Sequence, residues 1–417
     1  MFGLNIRNDA ELMIKKIIAD NMPCQAVEKA LKSHKFEGNI YLIAVGKAAW
    51  TMARSACDTL QERLKQGIVI TKYEHSQGSL PNIDIYEAGH PVSDENTITA
   101  TQKCIEFAEG LGENDELIFL ISGGGSALFE RPLEGISLDD IKDITNQLLA
   151  TGADIVEMNM VRKRLSCVKA GRFAALCAPA KVFAIVLSDV LGDRLDTIAS
   201  GPTASDESTV EDAAKVVKKY NLKLNDLQRK YLLEDTPKEI TNVKTVITGS
   251  VRTLCESAAE SAKALGYTPY VITTQMNCEA SEAGRFLAAM AVDTQEKLNC
   301  FSKPCAIIAG GETVVTLKGK GKGGRNQELA LASAKGIAGL DSTLIFSLGS
   351  DGTDGPTDAA GGMVDGNTIA ELRDKKLDVD NILADNDAYH GLKEINGLII
   401  TGPTGTNVND VSVVLCK

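Results

Sequence analysis

Length, composition and charge exclude several classes of protein at the outset. The chain has 417 residues, 44% hydrophobic and 24% charged, which is an ordinary globular composition and predicts two or three domains. Acidic residues (56) outnumber basic residues (44), and the formal net charge of −12 argues against a nucleic-acid-binding protein. No apolar stretch approaches the roughly 20 residues of a membrane span, and the N-terminus lacks an apolar signal core, so we expect a cytoplasmic protein without membrane partners.

Apolar runs of strand length alternate along the chain with amphipathic segments of helix length. Many of the runs are continuously apolar, which is typical of parallel strands covered by helices on both faces, so we predict an α/β fold. The predicted strands are 40–45, 116–122, 181–188, 243–249, 269–273, 304–310, 313–317, 342–349 and 397–402. The predicted helices are 9–33, 48–65, 94–110, 138–151, 252–265, 281–296 and 325–338.

The least apolar stretch, 204–242, ends in Pro237 and polar residues before the next predicted strand. We therefore predict two domains, 1–236 and 237–417, each large enough for a core of its own. The ten cysteines form no CxxC pair, and none of the four histidines has a zinc-type spacing. These patterns predict free thiols and argue against a Cys/His metal centre.

Glycine and small polar residues follow several predicted strands, and ligands of parallel sheets bind beyond the carboxyl ends of strands. The best candidate for a phosphate-binding loop is Ser122-Gly123-Gly124-Gly125-Ser126, because adjacent glycines let backbone N–H groups converge on an oxyanion. The alternative is a tight turn without a ligand. Three further strand ends carry similar candidates: Gly46-Lys47, Gly310-Gly311-Glu312-Thr313 and the loop 349–352.

Basic residues are concentrated at 162–172 and at 318–325, where we expect anion-binding sites; for 162–172 the alternative is a solvated helix face. A literal GxGxxG lies at 319–324, but three lysines and Arg325 surround it. This charge favours a mobile basic loop that closes over phosphates rather than a dinucleotide-binding turn. Among the carboxylates, Asp189 and Asp351 are candidates for Mg²⁺, while Asp193 and Asp358 suit turns. An SxxK at 166–169 lacks its companion motifs, so serine acyl transfer is a poor hypothesis.

Eight segments together resemble the class II glycerate kinases, the glycerate 2-kinase family with a C-terminal MOFRL domain. Two departures from the family pattern are Ser93 and Ala170, and neither affects a predicted role. The segments are VGKAAWTMA (45–53), GHPVSDENT (89–97), LISGGGSALFERP (120–132), MNMVRKRLSCVKAGRFA (158–174), LSDVLGDRLDTIASGPT (187–203), GGETVVTLKGKGKGGRNQELALA (310–332), SLGSDGTDGPTDAAGG (347–362) and TGPTGTNVNDV (401–411).

The resemblance implies transfer of the γ-phosphoryl group of ATP to the 2-hydroxyl of D-glycerate, with Mg²⁺. It also implies two α/β domains with Rossmann-like, mostly parallel sheets flanked by helices and with the active site in the interdomain cleft. The catalytic roles fall on Lys47, Arg325, Asp189 and Asp351, the last two also as metal ligands. The predicted nucleotide-binding residues are Ser122, Gly123, Gly124, Gly125, Ser126, Gly310, Gly311, Glu312, Thr313 and Asn326.

Two other functions stay open at this point. The first is an NAD(P)H-dependent reductase of hydroxypyruvate or tartronate semialdehyde, based on the GxGxxG match. The second is a non-catalytic nucleotide-binding regulator. The sequence does not decide between a monomer and a homodimer.

Overall fold

The computed structural model describes residues 6–298 and 300–417, and the chain forms two compact units. The first unit comprises Pro23–Thr248. The second comprises the described residues up to Met22 together with Gly249–Lys417.

These units differ from the predicted division at 236/237 for two physical reasons. The strand Val243–Gly249 completes the sheet of the first unit, so the chain leaves that unit later than its polar segment indicates. The helix Ile6–Asp20 instead packs on the helix Val251–Ala264, and buried Asp9 accepts a 2.6 Å hydrogen bond from Tyr267. A break at 21–22 separates this helix from Pro23–Ser33, which begins with a proline, so the single predicted helix 9–33 is wrong.

Strands and helices are numbered in chain order. The strands are β1 (Asn39–Val45), β2 (Leu64–Lys72), β3 (Ile83–Ala88), β4 (Asp115–Ile121), β5 (Lys181–Leu187), β6 (Val243–Gly249), β7 (Thr268–Met276), β8 (Cys305–Gly311), β9 (Thr343–Gly349), β10 (Gly361–Asp365), β11 (Leu398–Ile399) and β12 (Asp410–Cys416). The helices are α1 (Ile6–Asp20), α2 (Pro23–Ser33), α3 (Ala49–Leu60), α4 (Glu95–Glu109), α5 (Gly125–Leu128), α6 (Leu138–Ala150), α7 (Ile155–Arg164), α8 (Arg172–Cys177), α9 (Val210–Lys219), α10 (Asp226–Leu232), α11 (Val251–Ala264), α12 (Ala280–Gln295), α13 (Arg325–Ser333), α14 (Thr368–Asp374), α15 (Val379–Ala384) and α16 (Ala388–Glu394).

The sheet of the first unit has the strand order β3-β2-β1-β4-β5-β6, with parallel pairing from β3 through to β5. This is the order of a doubly wound, Rossmann-like sheet. Alternate residues of each strand face opposite layers. Ile43 and Val45 pack in one core with α4 and α8, whereas Leu42 and Ala44 pack in another with α2 and α3.

The sheet of the second unit has the order β11-β10-β9-β12-β8-β7 and is mixed. Strands β7, β8, β9 and β11 run in one direction, whereas β10 and β12 run against their neighbours. The α/β class and the flanking helices are therefore confirmed, but parallel pairing dominates only in the first sheet. The predicted strand 313–317 is not formed beyond a single bridge from Val314 to Glu279. No helix in the described part of the chain is both long and apolar enough to cross a membrane.

Candidate active site

The carboxyl ends of five strands meet at one edge of the first sheet. The register pairs Val45 with both Ile70 and Ile121, so the ends of β2, β1 and β4 are level. Ile121 in turn pairs with Val186 near the end of β5. The residues at the ends of these strands therefore lie along one edge. In the order of the strands in the sheet, they are His90 after β3, Lys72 at the end of β2, His75 after β2, Lys47 after β1, Ser122–Ser126 after β4 and Asp189 after β5.

The strand order reverses between β1 and β4, which is where doubly wound sheets bind their ligands. The loops after these two strands hold each other in place. The Lys47 N–H donates to the Gly123 carbonyl (2.8 Å), and the Ala48 N–H donates to the Ser122 Oγ (3.1 Å). Gly46 has φ +120°, and a Cβ there would lie 2.3 Å from the Ser122 Oγ, so only glycine fits.

The triple-glycine loop has the properties of an oxyanion cradle. Gly124 takes the left-handed conformation (φ +85°). The backbone N–H groups of Gly123, Gly124 and Ser126 have no acceptor within residues 6–298 and 300–417. Buried backbone donors are normally paired, so donors left without a partner at the end of a strand are suited to an anionic ligand.

Behind the loop lies a set of contacts that fix its far end. The Lys169 Nζ donates to the Ser126 carbonyl (2.7 Å) and forms a fully buried ion pair with Glu130 (2.5 Å). The hydroxyls of Ser126 and Ser200 are 2.9 Å apart. Ser200 has φ +63°, an uncommon conformation for a residue other than glycine, and such strain is often found at functional sites.

In the second unit, a second group of charged side chains surrounds Arg325 at the first position of α13. Asp410 begins β12 and pairs with Gly311 at the end of β8 and with Gly349 at the end of β9. Because β12 runs antiparallel to both strands, its first residue lies where theirs finish. The Arg325 Nε and Nη2 donate to the two oxygens of Asp410 at 2.5 Å and 3.1 Å, and Nη1 donates to Glu312 at 2.9 Å.

Burial and charge act against each other on this ion pair. Burial raises the pKa of Asp410 to about 6, although the hydrogen bonds and charge of Arg325 favour its ionised form. Burial alone would lower the pKa of Arg325, but the hydrogen bond to Asp410 and the charges of Asp410 and Glu312 raise it. Arg325 therefore stays charged, and three of its five N–H donors are engaged while two have no acceptor among the described residues.

Asp354 fixes the beginning of α13. Its carboxylate accepts from the backbone N–H groups of Asn326 (3.1 Å) and Gln327 (2.9 Å). Burial raises the pKa of Asp354. Asn326 is buried and accepts a 2.6 Å hydrogen bond from the Ser347 hydroxyl, so it belongs to the same internal network. The orientation of Arg325 thus depends on a buried polar network rather than on the loop that precedes it.

Comparison with known proteins identifies the family. Residues 9–232 match a domain described as "Domain of unknown function (DUF4147)", and residues 305–410 match the MOFRL family. The chain is 50% identical to a protein of Thermotoga maritima named D-glycerate 2-kinase, over 97% of this chain and 96% of that protein. The chain belongs to the glycerate 2-kinase family.

A solved structure shows the fold of the family, and another relative carries a different name. A crystal structure of glycerate kinase from Thermotoga maritima superimposes with a TM-score of 0.95 and 50% identity, covering 98% of this chain and 99% of that one. A protein of Agrobacterium vitis that is 37% identical, over 91% of this chain and 87% of its own length, is named putative hydroxypyruvate reductase. The resemblance of the sequence to the glycerate 2-kinase family is therefore confirmed.

The predicted site residues fall into one set in each unit. In the first unit, Lys47, Ser122–Ser126 and half-buried Asp189 lie along the same sheet edge. In the second unit, Glu312 binds Arg325, and Asn326 follows it in the helix. Asp351 follows β9 and accepts a 3.0 Å hydrogen bond from the Thr353 N–H, as in a turn.

Three predicted nucleotide-binding residues have an alternative structural explanation. Gly310 and Gly311 lie inside β8, where a Cβ would be 2.4 Å from the Cys255 Sγ and 2.0 Å from the Met276 carbonyl oxygen, respectively. Close packing therefore accounts for both glycines. Thr313 is buried just beyond the strand. A ligand-binding role for these three residues stays a prediction.

The expected mobile loop at 318–324 is instead anchored along its length. Its backbone N–H groups at 318–322 donate to the segment 385–387, at distances of 2.7–2.9 Å. A Cβ at Gly319 would lie 2.2 Å from the backbone of Asp385. Gly319 and Gly321 therefore permit close packing, and the backbone donors at 318–322 are already used.

Three residues of the basic stretch 162–172, namely Lys163, Arg164 and Lys169, form neither a solvated face nor an open anion site, because they are buried. Lys163 is buried and lies 3.1 Å from Asp196 and 3.7 Å from Asp206. Arg164 is fully buried and donates to the Ser208 carbonyl (2.9 Å). Together with the Lys169–Glu130 pair, these contacts give the stretch a role in holding the first unit together.

His75, His90 and Asp410 were not predicted as site residues from the sequence. His75 and His90 follow β2 and β3, which were not predicted because charged and polar residues interrupt their apolar pattern. Asp410 lies in one of the family segments, but its contact with Arg325 spans 85 positions. Had β2 and β3 been predicted, a search for polar residues just beyond the end of each strand would have found both histidines.

Proposed function

We propose that this protein is an ATP-dependent kinase that phosphorylates the 2-hydroxyl of D-glycerate and yields 2-phosphoglycerate and ADP. The observation that carries the proposal is the similarity to the Thermotoga maritima D-glycerate 2-kinase, which extends over almost the full length of both chains. Phosphoryl transfer requires positioning and neutralisation of charge rather than covalent chemistry by the protein. The two charged groups at the sheet edges supply these requirements.

In the first unit, we assign Lys47 and the loop Ser122–Ser126 to phosphate oxygens. The unpaired N–H groups of the loop provide fixed donors, and the Lys47 ammonium provides a point charge that has no salt bridge within the described residues. Such donors stabilise negative charge that develops during transfer without needing to reorganise.

In the second unit, we assign Arg325 to the same reaction, as the residue that binds a carboxylate or phosphate through its two remaining N–H groups. Asp410 and Glu312 fix the guanidinium so that these donors have a defined direction. A planar guanidinium suits paired oxygens, whereas the ammonium of Lys47 suits a single migrating oxygen.

We assign Asp189 and Asp351 to the substrate hydroxyl and to Mg²⁺. Mg²⁺ commonly binds one or two carboxylates together with substrate phosphates and water, and both side chains follow a strand and are half-buried. When bound, the ion would neutralise charge between the β- and γ-phosphates. The carboxylate that does not hold it would orient the 2-hydroxyl and accept its proton.

The reductase hypothesis receives less support from the residues of this chain. It depended on the GxGxxG at 319–324, and the backbone donors at 319–322 are taken by 385–387. The name of the Agrobacterium vitis relative keeps the hypothesis worth testing. A fall in NADH absorbance on addition of hydroxypyruvate would support it, and ATP binding without turnover would support a regulator.

The decisive experiment is ³¹P NMR of the purified protein with MgATP and D-glycerate. We expect ADP together with a phosphomonoester split into a doublet by coupling to a CH group. A triplet, from coupling to CH₂, would show transfer to the 3-hydroxyl and overturn the assigned position. An unchanged ATP spectrum beside an active control enzyme would refute the kinase.

A further inference from the structure

Four cationic or titratable side chains lie at the edge of the first sheet around His90, and none of them forms a salt bridge with a described acidic residue. They are Lys47, Lys72, His75 and His90, which follow or end three neighbouring strands of the first sheet. None of the four takes part in a salt bridge within the described residues, although the chain as a whole has a net charge of −12. Half-buried positive charges that lack a partner in the protein are suited to an anionic ligand.

The imidazole of His90 lies against Gly124 of the loop. Its Nε2 is 3.0 Å from the position that a Cβ on Gly124 would occupy, and the Lys47 Cγ is 3.3 Å from the same position. The imidazole is half-buried and makes no hydrogen bond to any described residue. His75 differs, since its Nδ1 is 3.1 Å from the Lys47 carbonyl oxygen and its orientation is therefore fixed.

The surroundings of His90 favour the neutral form of its ring. Burial is the largest cause that lowers its pKa, and the charges of Lys47, Lys72 and His75 lower it further. The Asp94 carboxylate lies beside the neighbouring Gly89 and is not among the groups that shift this pKa. An oxyanion bound over Gly124 would reverse this balance, because it would place negative charge beside the ring.

We propose that His90 binds the substrate oxyanion that occupies the triple-glycine loop, through a hydrogen bond from its Nε2 that gains charge when the ligand binds. The inference rests on the proposed kinase function and extends it to a residue that neither the family comparison nor the sequence analysis assigned. The oxyanion is either a phosphoryl group of ATP or the carboxylate of D-glycerate. Both groups present oxygens of the same kind to an imidazole.

Histidine NMR tests this proposal directly, because the chain has only four histidines. Protein labelled with ¹⁵N-histidine would be titrated with pH, alone and with inorganic phosphate, pyrophosphate or D-glycerate. The variants H90N, H75N and H390N would assign the resonances. We expect the titration midpoint of His90 to rise by about one pH unit or more with one class of probe, and that of exposed His390 to stay unchanged. A rise with phosphate and pyrophosphate identifies the ATP site, whereas a rise with glycerate identifies the acceptor site.

Kinetics provides the second test. H90L removes the hydrogen bond, and H90Q retains a donor near the position of Nε2. We expect H90L to raise the KM for the identified substrate about tenfold or more and H90Q to restore most of the loss, while H390N behaves as wild type. A His90 midpoint that no probe changes would overturn the proposal, as would wild-type constants in folded H90L.

The two tests separate this inference from the kinase assignment. The NMR experiment requires no turnover, so a shift of His90 by phosphate would survive even if the chain proved not to be a kinase. Conversely, an active kinase whose H90L variant has unchanged constants would retain the proposed function and remove His90 from it.

Discussion

Replacement of Asp410 by asparagine tests whether the second unit works by fixing Arg325. Two of the three hydrogen bonds on the guanidinium go to Asp410, at 2.5 Å and 3.1 Å. Asparagine keeps the shape but has a single acceptor oxygen and no charge. One charge-assisted hydrogen bond contributes about 1.5–3 kcal/mol, so a guanidinium that is no longer fixed should lower kcat/KM about 10- to 150-fold.

Stability should respond much less than activity. Burial raises the pKa of Asp410 from an ordinary 3.8 to about 6. The stability contributed by its protonated form is therefore fully present below the ordinary value and is lost as the pH rises through about 6. At neutral pH the folded state carries the buried carboxylate of Asp410, which burial destabilises and the ion pair with Arg325 stabilises. An uncharged asparagine removes both effects, and they partly cancel. We expect the free energy of unfolding, measured with urea, to change by less than about 2 kcal/mol.

The pH profile of kcat/KM gives the sharpest measurement. Wild type should lose activity as the pH falls through about 6, because protonated Asp410 releases Arg325. D410N should have a low kcat/KM at every pH and should lack the fall in activity near pH 6 that wild type shows. Protonation of ATP affects both proteins alike. D358N is the control, since Asp358 is a carboxylate of the same unit that accepts a hydrogen bond from Tyr389 (2.7 Å) and none from Arg325 among the described residues. Wild-type kcat/KM in folded D410N would refute the role given to the pair.

Three other substitutions address the first unit. K47A should lower kcat about 100-fold or more with an unchanged melting temperature, because Lys47 has no salt bridge within the described residues to lose; K47R with full activity would contradict the assignment. G124A and G152A should each lose about 1 kcal/mol of stability, since both positions have positive φ (+85° and +75°). Only G124A should impair turnover. A Cβ at Gly152 meets nothing within 4 Å, so G152A controls for the effect of the backbone conformation alone. Equal kinetics of the two variants would exclude the loop from the site. K169M should destabilise the unit by about 3–5 kcal/mol by leaving buried Glu130 unpaired, and K181M, which breaks an exposed pair with Glu37, by less than about 1 kcal/mol; urea unfolding that ranks them equally would contradict this difference.

The part of the site that could be predicted from the sequence is the part that follows an apolar strand. Lys47, the triple-glycine loop and Asp189 each come directly after a strong apolar run, and parallel pairing alone brings the ends of such strands together. For these residues, the local apolar pattern is enough to indicate their position at the edge of the sheet. The histidines escaped prediction because β2 and β3 mix polar and apolar residues, so their ends were not recognised.

Contacts between distant residues account for most of the errors. The basic residues at 162–172 were expected to face solvent or ligand, but Lys163 finds its carboxylates at Asp196 and Asp206, which no local pattern connects to it. The donors of the glycine-rich loop at 318–322 likewise find acceptors at 385–387. A charge or glycine cluster in a sequence indicates an anion site only when the rest of the chain supplies no partner for it.

The absence of partners distinguishes the two basic groups of the first unit more reliably than their sequence does. Lys163 and Lys169 are buried and paired with carboxylates, so their charge is already neutralised and they can contribute stability but little attraction for an anion. Lys47 and His90 are half-buried and form no salt bridge within the described residues, and they flank a loop in which three N–H groups also lack a described acceptor. A folded protein tolerates such uncompensated charge and unpaired donors where a ligand completes them. The same reasoning separates Arg325, which is held by carboxylates yet has two donors without a described acceptor, from the segment 318–322, whose backbone donors all have acceptors.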